Sequence, residues 1–196
     1  MSSFEYVMVL VSIVIGLAIT HLLVGLSAAI HRLRGHGDPI RLEPVYLLWT
    51  GFVLIWLVSF WWWEFKLQDI GLQWSYGIYL FIVAYAVSLF LLAAILVPKG
   101  MAGVNDSYLF FMEGRKWFFG ALLVVLGIDI LDTFVKGFDW GMRPAVLVQY
   151  GVLAMTAVVG IVSERRGVQL GAATIAFTAQ LVYMFQELGV LGSFGA

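Results

Sequence analysis

The sequence contains no cysteine, four prolines and few charges. Without cysteine there is no disulfide framework, no thiolate nucleophile, no iron–sulfur cluster and no cysteine-ligated zinc. Charged residues make up 12 % of the 196 residues and hydrophobic ones 62 %, against roughly 25 % and 45–50 % in a soluble globular domain. No sign of charge dominates. Eleven Lys and Arg against twelve Asp and Glu leave a formal charge of −1, so there is no basic field to hold nucleic acid. Enzymatic signatures are missing as well: there is no H-E-x-x-H and no G-x-S-x-G. Asp129-x-x-Asp132 matches one of the acid pairs that bind a metal diphosphate, but the second acidic motif and the basic residues for diphosphate are absent. The three histidines do not form a bis-histidine haem site, because only His21 falls well inside an apolar run, with His31 at its edge and His36 outside it. The expectation is a protein that is not an enzyme, with no catalytic residues, metal or cofactor.

What the chain does contain is long apolar runs, each near the ~20 residues that cross a bilayer. They lie at about 4–31, 45–65, 76–98, 116–136, 145–163 and 169–190. Asp38-Pro39 and Glu43-Pro44 precede the second, Pro98-Lys99-Gly100 closes the third and Pro144 opens the fifth. The segment Asp106–Met112 reads as a short interfacial helix ahead of the fourth. The first run is no signal peptide. No Lys or Arg precedes it, and it far exceeds the ~7–15 residues of a signal core. The fold class is therefore all-α: a polytopic bundle of six transmembrane helices in one domain, 1–196.

Orientation follows from the basic residues of the short loops. Arg32, Arg34, Arg41, Lys99, Arg115, Lys116, Arg165 and Arg166 fall on one side, and Lys66, Lys136 and Arg143 on the other. Eight against three places both termini outside the cytoplasm, in a cell membrane of the bacterial inner-membrane type. The six runs also divide into two sets of three. Ile15-Gly16-Leu17 matches Leu126-Gly127-Ile128, and Leu47-Leu48 with Gly51 matches Leu147-Val148 with Gly151. That pattern raises an inverted repeat of the kind found in transporters.

Polar residues inside spans usually face the bundle interior. Glu5, Ser12, Gly16, Thr20 and Ser27 share one face of the first helix. Gln149, Thr156, Gly160 and Ser163 do so in the fifth, and Gln169, Ala173, Ala176, Gln180, Tyr183 and Glu187 in the sixth. Span two carries an aromatic stripe instead, Trp49, Phe52, Trp56, Phe60 and Trp63. Trp56 and Trp63 are candidates for contact with a partner or with a cationic ligand.

Two acids in the fourth span stand out. With the span centred near Leu126, Asp129 lies ~4–5 Å from the midplane at 1.5 Å per residue. A central Asp costs about 2.5–3.5 kcal/mol even on a forgiving insertion scale. Asp132 can pair with Lys136 one turn on, and the long Lys136 stem can reach the interface. Asp129 has no such partner along its own helix. Outward from the midplane come Gln180, Asp129, Asp132, Glu187, Glu64 and Glu5, a set that the assembled bundle can gather into one outward vestibule. The inner half offers Thr20 and Ser27, with His21 as a possible titrating group.

The first expectation is a channel or transporter for a proton, small cation or small polar solute. Asp129 is its central group, Asp132, Glu187 and Glu64 line its vestibule, and Gln180 and Thr20 are its polar relay. The alternative, of another class, is a non-transporting membrane subunit or scaffold. It binds lipid, a membrane-protein partner or further copies of itself.

Overall fold

The computed structural model describes residues 3–68, 74–98, 101 and 103–187. Six of its helices are long and apolar enough to cross a membrane. They are α1 (Ser3–Leu33), α2 (Pro44–Glu64), α3 (Tyr76–Leu96), α4 (Ser107–Lys136), α6 (Pro144–Val162) and α7 (Arg166–Glu187). A 3-10 turn, Phe65–Gln68, follows α2, and the one-turn helix α5 (Phe138–Gly141) joins α4 to α6.

Local chemistry sets the starts. Pro44 and Pro144 occupy the first turn of α2 and α6, where the missing N–H costs no helical bond. The Ser75 hydroxyl accepts from the Ile78 N–H at 3.3 Å to cap α3. One boundary departs from the sequence reading: α4 begins at Ser107 and runs unbroken for 30 residues, so 107–115 is no separate interfacial helix. Asp106 supplies the cap, accepting from the Tyr108 and Leu109 N–H groups at 2.8 and 3.1 Å. Phe111 then continues the buried stripe, its ring 5.6 Å from Phe118 and 5.9 Å from Phe119. Arg115 does not break the helix, because its guanidinium donates to the Met112 carbonyl and pairs with Glu164.

The helices form a closed ring in the order α1, α3, α4, α6, α7, α2, with α2 also reaching α3 and α4. That deep position explains its composition. Trp49, Phe52, Trp56, Phe60 and Trp63 are all buried, and Trp49 meets Phe52, Phe118 and Phe119 edge-to-face at 5.2–5.4 Å. Small residues let these rings in: a Cβ on Gly160 would lie 2.2 Å from the Phe119 ring. Aliphatic side chains such as Ile13, Leu17, Leu91, Val124, Leu131, Met155 and Val182 cover the outside, as a lipid-facing surface requires.

Two expectations fail at this level. The polar face of α1 points out of the bundle: Glu5, Ser12, Gly16, Thr20 and Ser27 are all exposed. The face turned inward is apolar and small, with Ala18, Leu22, Gly25 and Ala29 against the ring. A Cβ on Gly25 would sit 2.1 Å from Val97. Close approach, not polarity, decides that face. The inverted repeat fails too. α1 packs most extensively on α3, but their counterparts α4 and α7 make no comparable contact. Gly51 abuts Phe177, whereas its supposed match Gly151 faces open space.

At one end the loops are tied by polar contacts. Arg32 donates to the Asp38 and Met101 carbonyls at 2.7 and 2.9 Å and to Asn105 Oδ1 at 3.1 Å. Arg41 pairs backbone groups with Asn105 and Ser107, and Glu43 takes ion pairs from Arg41 and Arg166. Arg32 at the end of α1, Arg41 before α2 and Arg166 at the start of α7 thus share one end of the bundle.

Candidate functional site

The other end holds the buried acids that lie within α2 and α4. Asp129, Asp132 and Lys136 follow one another at helical spacing on α4, and all three are buried. Lys136 Nζ forms an ion pair with Asp132 Oδ2, as the spacing suggests. It does not reach out to the surface of the bundle. Its side chain is 1 % exposed and turns to Glu64 on α2, 2.8 Å from Oε1. The reason lies in what surrounds it. A second carboxylate attracts the ammonium inward, and Trp63 places its ring 5.1 Å from Nζ while donating its indole N–H to Asp132 at 3.0 Å. α5 brings Trp140 against Trp63 at 4.7 Å, closing the group from above. Lys66 in turn lies 5.0 Å over the Trp140 ring. The triad has two carboxylates for one ammonium, and Glu64 Oε2 makes no hydrogen bond.

Asp129 belongs to a different environment. The Tyr85 hydroxyl on α3 donates to its Oδ1, and the Tyr150 hydroxyl reaches its backbone carbonyl at 3.4 Å while bonding Thr133. So Asp129 does have a partner, on a neighbouring helix. Among the described residues no Lys, Arg or His forms an ion pair with it. Gln149 and Gln180, candidate partners from the sequence, bond each other instead, Nε2 to Oε1 at 2.8 Å. Between them and Asp129 is a cavity of about 30 Å³, lined also by Trp56, Phe60 and Tyr183. A single water needs ~10–15 Å³ of such space, so one or two water-sized occupants fit.

The sequence-selected residues therefore separate into groups. Asp129, Gln180, Trp56 and Trp63 line this cavity. Asp132 and Glu64 are held by Lys136 and do not line it, so the acids do not share one vestibule. Thr20 is exposed on the outer face of α1 and is no neighbour of Asp129. The side chain of Glu187 lies outside the described residues. His21 turns away from the Thr20 face, and its Nε2 lies 2.7 Å from the Val97 carbonyl just past α3. Trp56 and Trp63 are 5 % and 7 % exposed, so neither offers a surface to a partner protein; Trp61 and Trp62 point outward instead.

No family model, no curated protein and no solved structure matches this chain. The site must speak through its own geometry.

Tyr85 is a residue of the candidate site that the sequence alone did not single out. Its signal was present: a tyrosine near the middle of α3, far from the interfacial positions where tyrosine normally sits. A phenol at that depth needs a hydrogen-bond partner, and Asp129 is the one it has.

Proposed function

We propose that this multi-pass membrane protein is a channel or carrier for a proton or small cation, with Asp129 as the group that takes up the charge. The observation that carries the reading is the cavity. Asp129 is a buried carboxylate without a cationic partner among the described residues, beside a space of about 30 Å³ with Gln149 and Gln180 on its wall. The neighbouring acids are already neutralised in part by Lys136. Uncompensated intramembrane acids mark ion paths and proton relays more often than packing contacts. The eight-to-three basic asymmetry supports an orientation with the termini and the acidic end outside the cytoplasm, and the reading takes the membrane to be of the bacterial inner type.

The test is flux into proteoliposomes. Asp129→Asn keeps the side-chain size and an acceptor for Tyr85 but removes the charge. The variant is expected to insert and fold while cation- or proton-driven flux falls at least tenfold. Parental flux in a folded Asp129→Asn protein refutes the reading. The second reading, a non-transporting subunit, draws on the outward Ser12, Gly16, Thr20 and Ser27 face of α1, a surface of the type that packs against other membrane helices. It is favoured if the parent protein carries no ion or solute and co-purifies with a membrane partner.

A further inference from the structure

We propose that the cavity beside Asp129 takes a small ammonium ion, such as ammonium or methylammonium, held by the carboxylate and by aromatic faces. The inference rests on the cation-uptake reading and names the class of cation.

Three features of the cavity favour an ammonium over a metal ion. Its walls are largely aromatic: Trp56, Phe60, Trp63, Tyr85, Tyr150 and Tyr183 all contribute. Aromatic faces attract ammonium groups, whereas hard metal ions require a shell of oxygens. The oxygens on the lining are largely engaged with protein partners, Ser59 with Met184 and Tyr150 with Thr133 among them. Gln180 Oε1 already accepts from Gln149, and the Tyr85 hydroxyl is engaged with Asp129. Among the described residues no three of His, Asp and Glu gather in a way that could hold a metal ion. Size agrees as well, since about 30 Å³ admits an ion of one or two heavy atoms and excludes a bulky amine.

One turn along α4 the protein already holds an ammonium by the same chemistry. The Lys136 head group sits between carboxylates, with the Trp63 ring 5.1 Å away. Asp129 repeats the carboxylate half of that arrangement, one turn before Asp132, and the aromatic walls supply the other half. It lacks only the tethered cation. A free ammonium in the cavity would complete the pattern, with the buried charge compensated as it is at Lys136.

The experiment uses the full-length protein in liposomes of phosphatidylethanolamine and phosphatidylglycerol. Tryptophan fluorescence is titrated with methylammonium chloride, and uptake of labelled methylammonium is measured in parallel. Sodium, potassium and tetramethylammonium chlorides at matched ionic strength serve as comparisons. Expected are saturable quenching and uptake with methylammonium alone, at least tenfold weaker in Asp129→Asn. Trp56→Leu should weaken both several-fold, and Trp56→Phe, which keeps an aromatic face, should recover most of the loss. If Asp129→Asn does not fold, that Leu-against-Phe contrast decides. Equal behaviour of the two Trp56 variants, or a methylammonium response unchanged by Asp129→Asn, overturns the assignment. An Asp129-dependent response to sodium, potassium or pH without one to methylammonium overturns the ammonium class and leaves the cation reading standing. No Asp129-dependent response to any of them refutes both.

Discussion

Replacing Lys136 with methionine should destabilise the bundle severely. Methionine fills a similar volume and is apolar, so the substitution tests charge and little else. Lys136 is the cation shared by Glu64 and Asp132, whose side chains are 0 % and 1 % exposed. Removing it leaves two carboxylates facing each other beneath Trp63 and Trp140, with one indole N–H as the remaining donor to Asp132. Breaking a buried pair by deleting one partner costs about 3–5 kcal/mol. That corresponds to about a hundred- to a few thousand-fold in the folding equilibrium at ~1.4 kcal/mol per factor of ten. Reversible unfolding in mixed micelles with increasing dodecyl sulfate, followed by tryptophan fluorescence, would measure it. The neutral triple variant Glu64→Gln, Asp132→Asn, Lys136→Met should recover most of the loss, since no buried charge then lacks a counterpart. A Lys136→Met protein within about 1 kcal/mol of the parent would refute the reasoning, because the cost of an unpaired buried charge cannot be that small.

Other perturbations separate packing from charge. Glu64→Gln removes the excess carboxylate and leaves Asp132 paired with Lys136, so unfolding should shift by less than about 1 kcal/mol or towards greater stability. Gly160→Ala drives a Cβ into the Phe119 ring and should cost about 1–3 kcal/mol, with Phe119→Leu in the same chain restoring part of it. Tyr85→Phe deletes the donor to Asp129 and should cost about 1.5–3 kcal/mol, the range for a hydrogen bond to a charged group, as read by the same unfolding assay. Reporters active only outside the cytoplasm should work at either terminus and in the 137–143 segment; activity from an insertion in 33–43 would reverse the orientation.

Helix number and position were legible in the sequence because both depend on local properties. An apolar run long enough to cross a bilayer must close its own hydrogen bonds as a helix, and Pro44 and Pro144 mark where two such helices begin. The i, i+4 pairing of Asp132 with Lys136 was legible for the same reason, since helical spacing alone brings the two together. The extension of α4 back to Ser107 was less so, because Arg115 and Lys116 resemble a loop until Glu164 and the Phe111 contacts are in place.

Only the tertiary structure decided which face of each helix meets which neighbour. Helices in a bilayer pack by shape and by interhelical hydrogen bonds, without the hydrophobic difference that turns a soluble helix inward. A polar stripe is therefore a weak guide to direction. Those of α6 and α7 face the interior, while that of α1 faces out because Ala18, Gly25 and Ala29 allow a closer fit to α3. The same holds for the acids. Depth placed Asp129, Asp132 and Glu64 near one end, but their partners come from other helices. Glu64 from α2 draws Lys136 inward, Tyr85 from α3 takes Asp129, and Gln149 takes Gln180. Those pairings, made across the ring, leave Asp129 with a phenol but no cation beside a cavity and close the other two acids beneath tryptophan.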